Sequence, residues 1–242
     1  MNFILDPHTH TIASGHAYST VSENAAHAAS VGLTHIGLTD HGPDMPGGAH
    51  LYAFSNQGCL PDYIYGVRVL KSAEVNIVNE SGKLDIPSTI LKRMDYCIAS
   101  LHRGIIKPTN KETHTSIVIK AMEKPLVNIL GHLGCVHFDI DMEAVIIAAA
   151  RTGTIIEINS QTLNPSSIRY DGEDKQLQMI ELCKEHKVPI VASSDAHFCT
   201  LVGEMNKAKT LIEKVGMPQE LVLNTDINLF FAAVKNKKEG LK

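Results

Sequence analysis

The sequence predicts an α/β protein built on a parallel sheet. Strand-length apolar runs rich in Ile, Val and Leu alternate along the chain with longer, helix-like segments, and turn residues bound the apolar runs. Metal-ligating side chains recur where those runs end. The predicted strands are Phe3–Leu5, Leu33–Thr39, Val67–Val75, Tyr96–Ser100, Val127–Leu130, Thr154–Asn159, Pro189–Ser193 and a short Leu221–Leu223. Continuous apolar character in these runs is what strands buried on both faces need. The predicted helices are Ser22–Val31, Glu112–Met122, Met142–Arg151, Asp174–Glu185, Asn206–Val215 and Asp226–Lys235. The first opens with Ser22 as an N-cap ahead of an Ala-rich stretch. About seven or eight such units in a chain of this length suit a closed (β/α) barrel. An open, doubly wound sheet is the competing architecture, although neither GxGxxG nor GxxxxGK[ST] is present to support a nucleotide-binding version. No linker, repeat or low-complexity stretch divides residues 1–242, so one domain is expected.

Composition narrows the function. The 242 residues carry 22 Lys+Arg against 26 Asp+Glu, a net charge of −4, which excludes an electrostatic footprint for nucleic acid or an anionic membrane. No apolar run approaches the roughly 18–20 residues needed to cross a bilayer, and the first residues lack a basic segment of the secretory kind. Five scattered cysteines without CxxC fit reduced thiols, so a cytoplasmic location is expected. There are 13 histidines, one more than Phe, Tyr and Trp together, and histidine is the commonest metal ligand rather than a core filler.

The histidines fall where chemistry would need them. His8 and His10 follow the first predicted strand, and His16 lies in the loop beyond. His41 follows the second, Glu74 sits towards the end of the third, His102 follows the fourth and His132 the fifth. Asp195 and His197 follow the seventh. All nine emerge at carboxyl ends, which gather on one face of a parallel barrel. His8/His10 and Asp195/His197 are spaced by two, so in extended backbone each pair projects to one side. Nine ligands are too many for one zinc ion and comfortable for three. Glu74, with two oxygens, is the natural bridge between ions. Three divalent ions with only Glu74 and Asp195 as anionic ligands leave about +4, a field that attracts a phosphate ester. Metal-assisted phosphate ester hydrolysis is therefore the expected activity.

The sequence resembles the PHP (polymerase and histidinol phosphatase) family, and within it the small stand-alone phosphatases. The similarity runs through Asp6-Pro7-His8-Thr9-His10-Thr11, Gly15-His16-Ala17-Tyr18-Ser19-Thr20, Thr39-Asp40-His41-Gly42-Pro43-Asp44-Met45, Glu74, Glu157-Ile158-Asn159 and Ser194-Asp195-Ala196-His197. The resemblance implies a distorted (β/α)7 barrel and a trinuclear site, usually zinc and sometimes iron or manganese. Carried over, His8, His10, Glu74 and Asp195 hold one ion. Glu74, His102 and His132 hold a second, and His16, His41 and His197 a third. It also implies in-line attack by a metal-bridging hydroxide, with Asp195 or His197 passing a proton to the leaving alcohol through a metal-bound water. Arg103-Gly104 after His102 and Leu133-Gly134 after His132 depart from the Pro-Gly common among relatives, which bears on the walls of the pocket.

Other residues get narrower expectations. Arg103 and Arg169 are candidates for a phosphate clamp, since a guanidinium matches phosphate oxygens two at a time. His50, in the long segment after the second strand, is a candidate substrate contact. Asp6 and Asp40 are expected to orient neighbouring imidazoles, and His114 to face solvent. The expected partner is a small phosphorylated molecule, with self-association possible. The alternatives are histidinol-phosphate phosphatase, a phosphodiesterase or exonuclease, and a non-enzymatic metal-binding protein.

Overall fold

The computed structural model describes residues 1–170 and 172–240. Among them the strands are β1 (Leu5–Thr9), β2 (His35–Leu38), β3 (Tyr63–Ile64), β4 (Val67–Lys71), β5 (Glu74–Asn76), β6 (Ile98–Ser100), β7 (Ile129–Leu130), β8 (Ile155–Asn159) and β9 (Ile190–Ser193). The helices are α1 (Val21–Ser30), α2 (Leu51–Ser55), α3 (Ser88–Leu91), α4 (Lys111–Met122), α5 (Met142–Thr152), α6 (Glu173–Glu185), α7 (Asn206–Val215) and α8 (Ile227–Gly240).

The strands form two sheets, ordered β1-β2-β4-β3 and β5-β6-β7-β8-β9. Every pairing is parallel except that of β3 with β4. Single bridges join the sheets on both sides: His41 pairs with Glu74, and Thr9 with Ala196. With β4 and β5 as two halves of one broken strand, the parallel strands make a distorted seven-position barrel. Inside it, Leu5, Leu70, Ile98, Ile129, Ile155 and Val191 contribute one apolar side chain from each position except β2. Phe230 and Val234 of α8 pack on this layer, and Tyr96 meets Phe230 edge to face at 5.2 Å. The Tyr96 hydroxyl donates to the Pro7 carbonyl, an approach that Gly37 permits: a Cβ there would lie 1.8 Å from that hydroxyl oxygen. The larger core fills the space between the strands and the surrounding helices.

Several sequence expectations are corrected. β1 spans Leu5–Thr9 rather than Phe3–Leu5, so Phe3 and Ile4 lie outside the strand and His8 within it; Asp6 and His8 look unlike strand residues only until their burial is seen. The run Val67–Val75 breaks at Ser72-Ala73, its first half pairing with β2 and its second with β6. Leu221–Leu223 is not a strand. It lies between two short 3-10 turns, and Val222 makes one bridge to Ile190. The hairpin strand β3 and the short helices α2 and α3 were not expected. α1 is capped by Thr20 rather than Ser22: Thr20 Oγ1 accepts from Glu23 N–H, and the Glu23 carboxylate accepts from Thr20 N–H. His114 is buried on α4, not solvated. Its Nδ1 donates to Asp139 O at 2.8 Å and its Nε2 accepts from Thr109 N–H at 2.7 Å, tying together the loops that follow His102 and His132. No helix among the described residues is long and apolar enough to cross a membrane.

Candidate metal centre

The nine sequence-predicted ligands meet at one mouth, Glu74 from the break between β4 and β5 and the others from the carboxyl halves of strands or the loops beyond them. β1 carries His8 and delivers His10 just beyond its end, β2 leads into His41, and β5 begins at Glu74. β6, β7 and β9 lead into His102, His132 and the Asp195–His197 turn. His132 and Asp195 adopt left-handed backbone, with φ of 31° and 51°. For residues other than glycine this costs roughly 1–2 kcal/mol each, strain of the kind that accumulates where a strand must turn a side chain back over a site. Gly131 makes room for the first of these turns, since a Cβ there would lie 2.3 Å from Ser100 Oγ.

Glu74 is the hub. Its Oε2 lies 2.7 Å from His41 Nδ1, 3.5 Å from His8 Nε2 and 3.6 Å from His10 Nε2. Its Oε1 lies 2.9 Å from His132 Nε2 and 3.3 Å from His102 Nε2. Asp195 Oδ1 is 3.1 Å from His10 Nε2 and 3.7 Å from His8 Nε2. His16 is the outermost member, its ring 4.9 Å from those of His41 and His197. The ligand partition implied by resemblance sets His41 apart from Glu74; here His41 stands between the Glu74 group and the His10–His197 group.

Bond lengths of ~2.0–2.1 Å around a tetrahedral zinc place ligand atoms about 3.3 Å apart, close to most of these separations. Several of the candidate ligand atoms are unsatisfied. Glu74 Oε2, Asp195 Oδ1, His102 Nε2 and both ring nitrogens of His41 are buried without a hydrogen-bond partner. Buried polar atoms are rarely left so, and several aimed at one point fit a cation that accepts them all.

A surrounding shell fixes which nitrogen each ring presents. His8 Nδ1 donates to Glu157 Oε1 at 2.5 Å, leaving Nε2 for the centre. His102 Nδ1 donates to Asn76 Oδ1 at 2.7 Å, and Asn76 in turn donates to Asp85. His10 Nδ1 donates to Ser14 Oγ, which donates to Asp40 Oδ1 at 2.7 Å. Asp40 therefore orients an imidazole through one intermediary, as expected of it. Asp6 does not. Its carboxylate accepts from the backbone N–H groups of Ser194 and Gly203 and so anchors the loop carrying Asp195. Asp195 Oδ2 accepts from Arg169 Nη1 at 2.6 Å and from Asn159 Nδ2 at 3.2 Å, which turns Oδ1 towards the imidazoles. Arg103 is exposed on the turn after His102. His50 caps α2, its Nδ1 accepting from Tyr52 N–H.

Sequence reasoning assigned no role to Glu157, Asn76, Asp85 or Ser14. Two of them carried a signal: Glu157 is a carboxylate in an otherwise apolar strand, and Asn76 follows Glu74 by two on one strand, hence on the same side. Asp85 and Ser14 sit in loops with nothing local to mark them.

Electrostatics follow the geometry. Burial alone would lower the His8 pKa, but Glu157, Asp195 and Glu74 together hold it well above the ordinary imidazole value. His10 is pushed well below by burial and by His41 and His197. Burial lowers His102 to about 3. Burial opposes ionisation of Glu74, yet His41, His102 and His8 hold it well below the usual carboxylate range. Asp195 is likewise held down against burial, chiefly by Arg169 and His8. At neutral pH the metal-free centre thus holds two carboxylates and a protonated His8. An ion coordinated by His8 Nε2 must displace that proton, so metal uptake in weakly buffered solution at pH 7 is expected to release at least one proton per chain. An indicator dye reads this directly, and uptake without acidification would contradict the assigned state of His8.

A model of the PHP domain matches residues 6–161. The chain belongs to the PHP domain family. A probable phosphatase of Thermoanaerobacter pseudethanolicus is 45% identical to this PHP chain over 242 residues, covering all of it and 98% of the relative. A probable phosphatase of Clostridium botulinum strain Langeland is 42% identical over 238 residues, covering 98% and 96% of the two chains. Among solved structures, histidinol phosphate phosphatase from Lactococcus lactis, complexed with zinc, L-histidinol and phosphate, superposes with a TM-score of 0.60 at 18% identity, covering 88% of the PHP chain and 94% of its own. A putative histidinol phosphatase from Listeria monocytogenes gives 0.62 at 14% identity, covering 84% and 99%. At such identities the likeness establishes a shared fold.

Proposed function

We propose that this PHP-family phosphatase hydrolyses a small phosphate monoester at a centre of three divalent ions, with zinc the favoured metal and manganese or iron as alternatives. The observation that carries this is the convergence of unsatisfied, buried His and carboxylate atoms at the mouth of the barrel. His8, His10, Glu74 and Asp195 would hold one ion, Glu74, His102 and His132 a second, and His16, His41 and His197 a third. The five imidazoles around the two Glu74 oxygens support a bridging role for that carboxylate. Zinc and phosphate together in the Lactococcus structure support the choice of metal and of substrate class.

When bound, the ions supply Lewis acidity towards phosphoryl oxygens and bring the pKa of water towards ~7. The protein does the positioning. Arg169, 18% exposed, keeps one guanidinium edge on Asp195 and borders the open cleft beside it, where it would meet a phosphate oxygen. Arg103 and His50 would complete the rim on another side, where the turn after His102 meets Pro46 of the segment leading to His50. Asp195 and His197 line the same cleft as Arg169, so either would orient a water there that passes a proton to the departing alcohol.

The test is to load the full chain with zinc, manganese or iron, measure bound metal, and assay a panel of phosphomonoesters, phosphodiesters and short oligonucleotides. Close to three equivalents per chain and preferential release of phosphate from monoesters are expected. A content near one after complete loading would overturn the trinuclear assignment. Preferential cleavage of diesters would overturn the substrate class.

A further inference from the structure

The open cleft beside Asp195 and His197, about 290 Å³ in volume, is walled by three loops at residues 11–20, 160–170 and 196–203. Among the described residues lining the cleft, Asp195 is the only Asp or Glu. Asp195, which does reach the cleft, has Oδ2 paired with Arg169 and Asn159 and Oδ1 turned to the imidazoles. Among the described residues lining the cleft, therefore, no carboxylate is left to receive a cation. The same loops expose large apolar side chains, Ile12, Tyr18, Ile168, Tyr170, Phe198 and Leu201, with Ile168 at 81% and Leu201 at 39% lining the cleft itself. Gln161 and Ser167 supply neutral polar groups among them. Apolar side chains clustered in this way beside convergent polar groups mark a ligand-binding edge.

Building on the phosphatase reading above, we infer that this cleft receives the leaving group, and that it selects phosphate monoesters of neutral alcohols with an apolar or aromatic body over esters of amino alcohols. The leaving group must project from the phosphorus towards Asp195 and His197, and this cleft opens there. An apolar body would cover Ile168 and Leu201. An ammonium in the same place would meet Arg169 and a cationic centre with no free carboxylate among the described lining residues to pair it, and an unpaired desolvated charge is strongly disfavoured. Discrimination of about tenfold or more in kcat/KM follows from differences of this kind in a pocket.

The experiment uses the metal-loaded full chain and two esters that differ by one ammonium, 3-phenylpropyl phosphate and 2-amino-3-phenylpropyl phosphate, with ethyl phosphate as a third. Phosphate release should favour 3-phenylpropyl phosphate over the amino ester by about tenfold or more in kcat/KM, and ethyl phosphate should be a poorer substrate than 3-phenylpropyl phosphate. Calorimetric binding of the corresponding non-hydrolysable phosphonates should show the same order. Ile168→Asp should narrow or reverse the preference between the first two esters while bound metal stays at the wild-type content. Equal or preferred turnover of the amino ester by the wild type would overturn the inference and leave the phosphatase reading standing. Release of phosphate from none of the three would remove that reading and this inference with it.

Discussion

Glu74→Ala is expected to strip two of the three proposed ions and to lower kcat/KM by at least ~10³-fold, more than replacing any single histidine. The carboxylate is fully buried, and its two oxygens face different imidazoles, His102 and His132 on one side and His8, His10 and His41 on the other. A histidine variant removes one ligand atom from one ion; this variant removes an atom from each of two, together with the negative charge that steadies both. Elemental analysis of the purified variant, paired with circular dichroism to establish folding, reads the outcome. Loss of a single equivalent with activity retained would refute the bridging assignment. Glu74→Gln separates charge from shape: the amide keeps the side chain's size, so metal loss there measures the charge.

The second large effect is expected at a residue that touches no ion. Glu157 accepts from His8 Nδ1, from the backbone N–H of His132, from Ser193 Oγ and from Asn159 Nδ2, all in the interior of the barrel. Glu157→Ala leaves a buried, cationic His8 without its nearest partner in the metal-free protein, a change that costs about 3–5 kcal/mol when a buried ion pair is broken. Freed from that contact, the His8 ring also loses the bond that presents Nε2 to the centre, and metal affinity should fall by about 10–100-fold. Urea denaturation of the metal-free protein measures the first effect, and competition with a chelator the second. An unchanged urea midpoint would mean that this network contributes nothing to the fold.

The contrast between Glu74 and Glu157 shows what the sequence makes legible. Glu74 is readable because it stands at a strand end among other strand-end ligands, and the shared position of nine residues is a pattern no single residue has to carry. Glu157 sits in mid-strand, where its apolar neighbours Ile155, Ile156 and Ile158 identify the strand well and conceal the use made of the acid. The same logic explains the strands. β8 and β9 agree with expectation to within a residue because Ile155, Ile156 and Ile158 in one and Ile190, Val191 and Ala192 in the other make apolar runs. β1 is hard to read because Asp6, His8 and Thr9 are polar side chains buried in the barrel interior. Asp85 was out of reach for another reason: its partner Asn76 is brought to it by a loop, and nothing local in the sequence encodes that meeting. His114 was misjudged because a histidine on a helix looks solvated until the helix's buried face is known.

The ring of strands is joined at two seams by one bridge each, His41 to Glu74 and Thr9 to Ala196. Those seams coincide with the ligands: His8, His10 and His41 belong to one half-shell, and Glu74, His102, His132, Asp195 and His197 to the other. Any cation seated between them rivets the halves together. With cations in place the weakest joints in the wall would become its fastenings, so the same atoms proposed to carry the chemistry would also keep the vessel from opening along its sides.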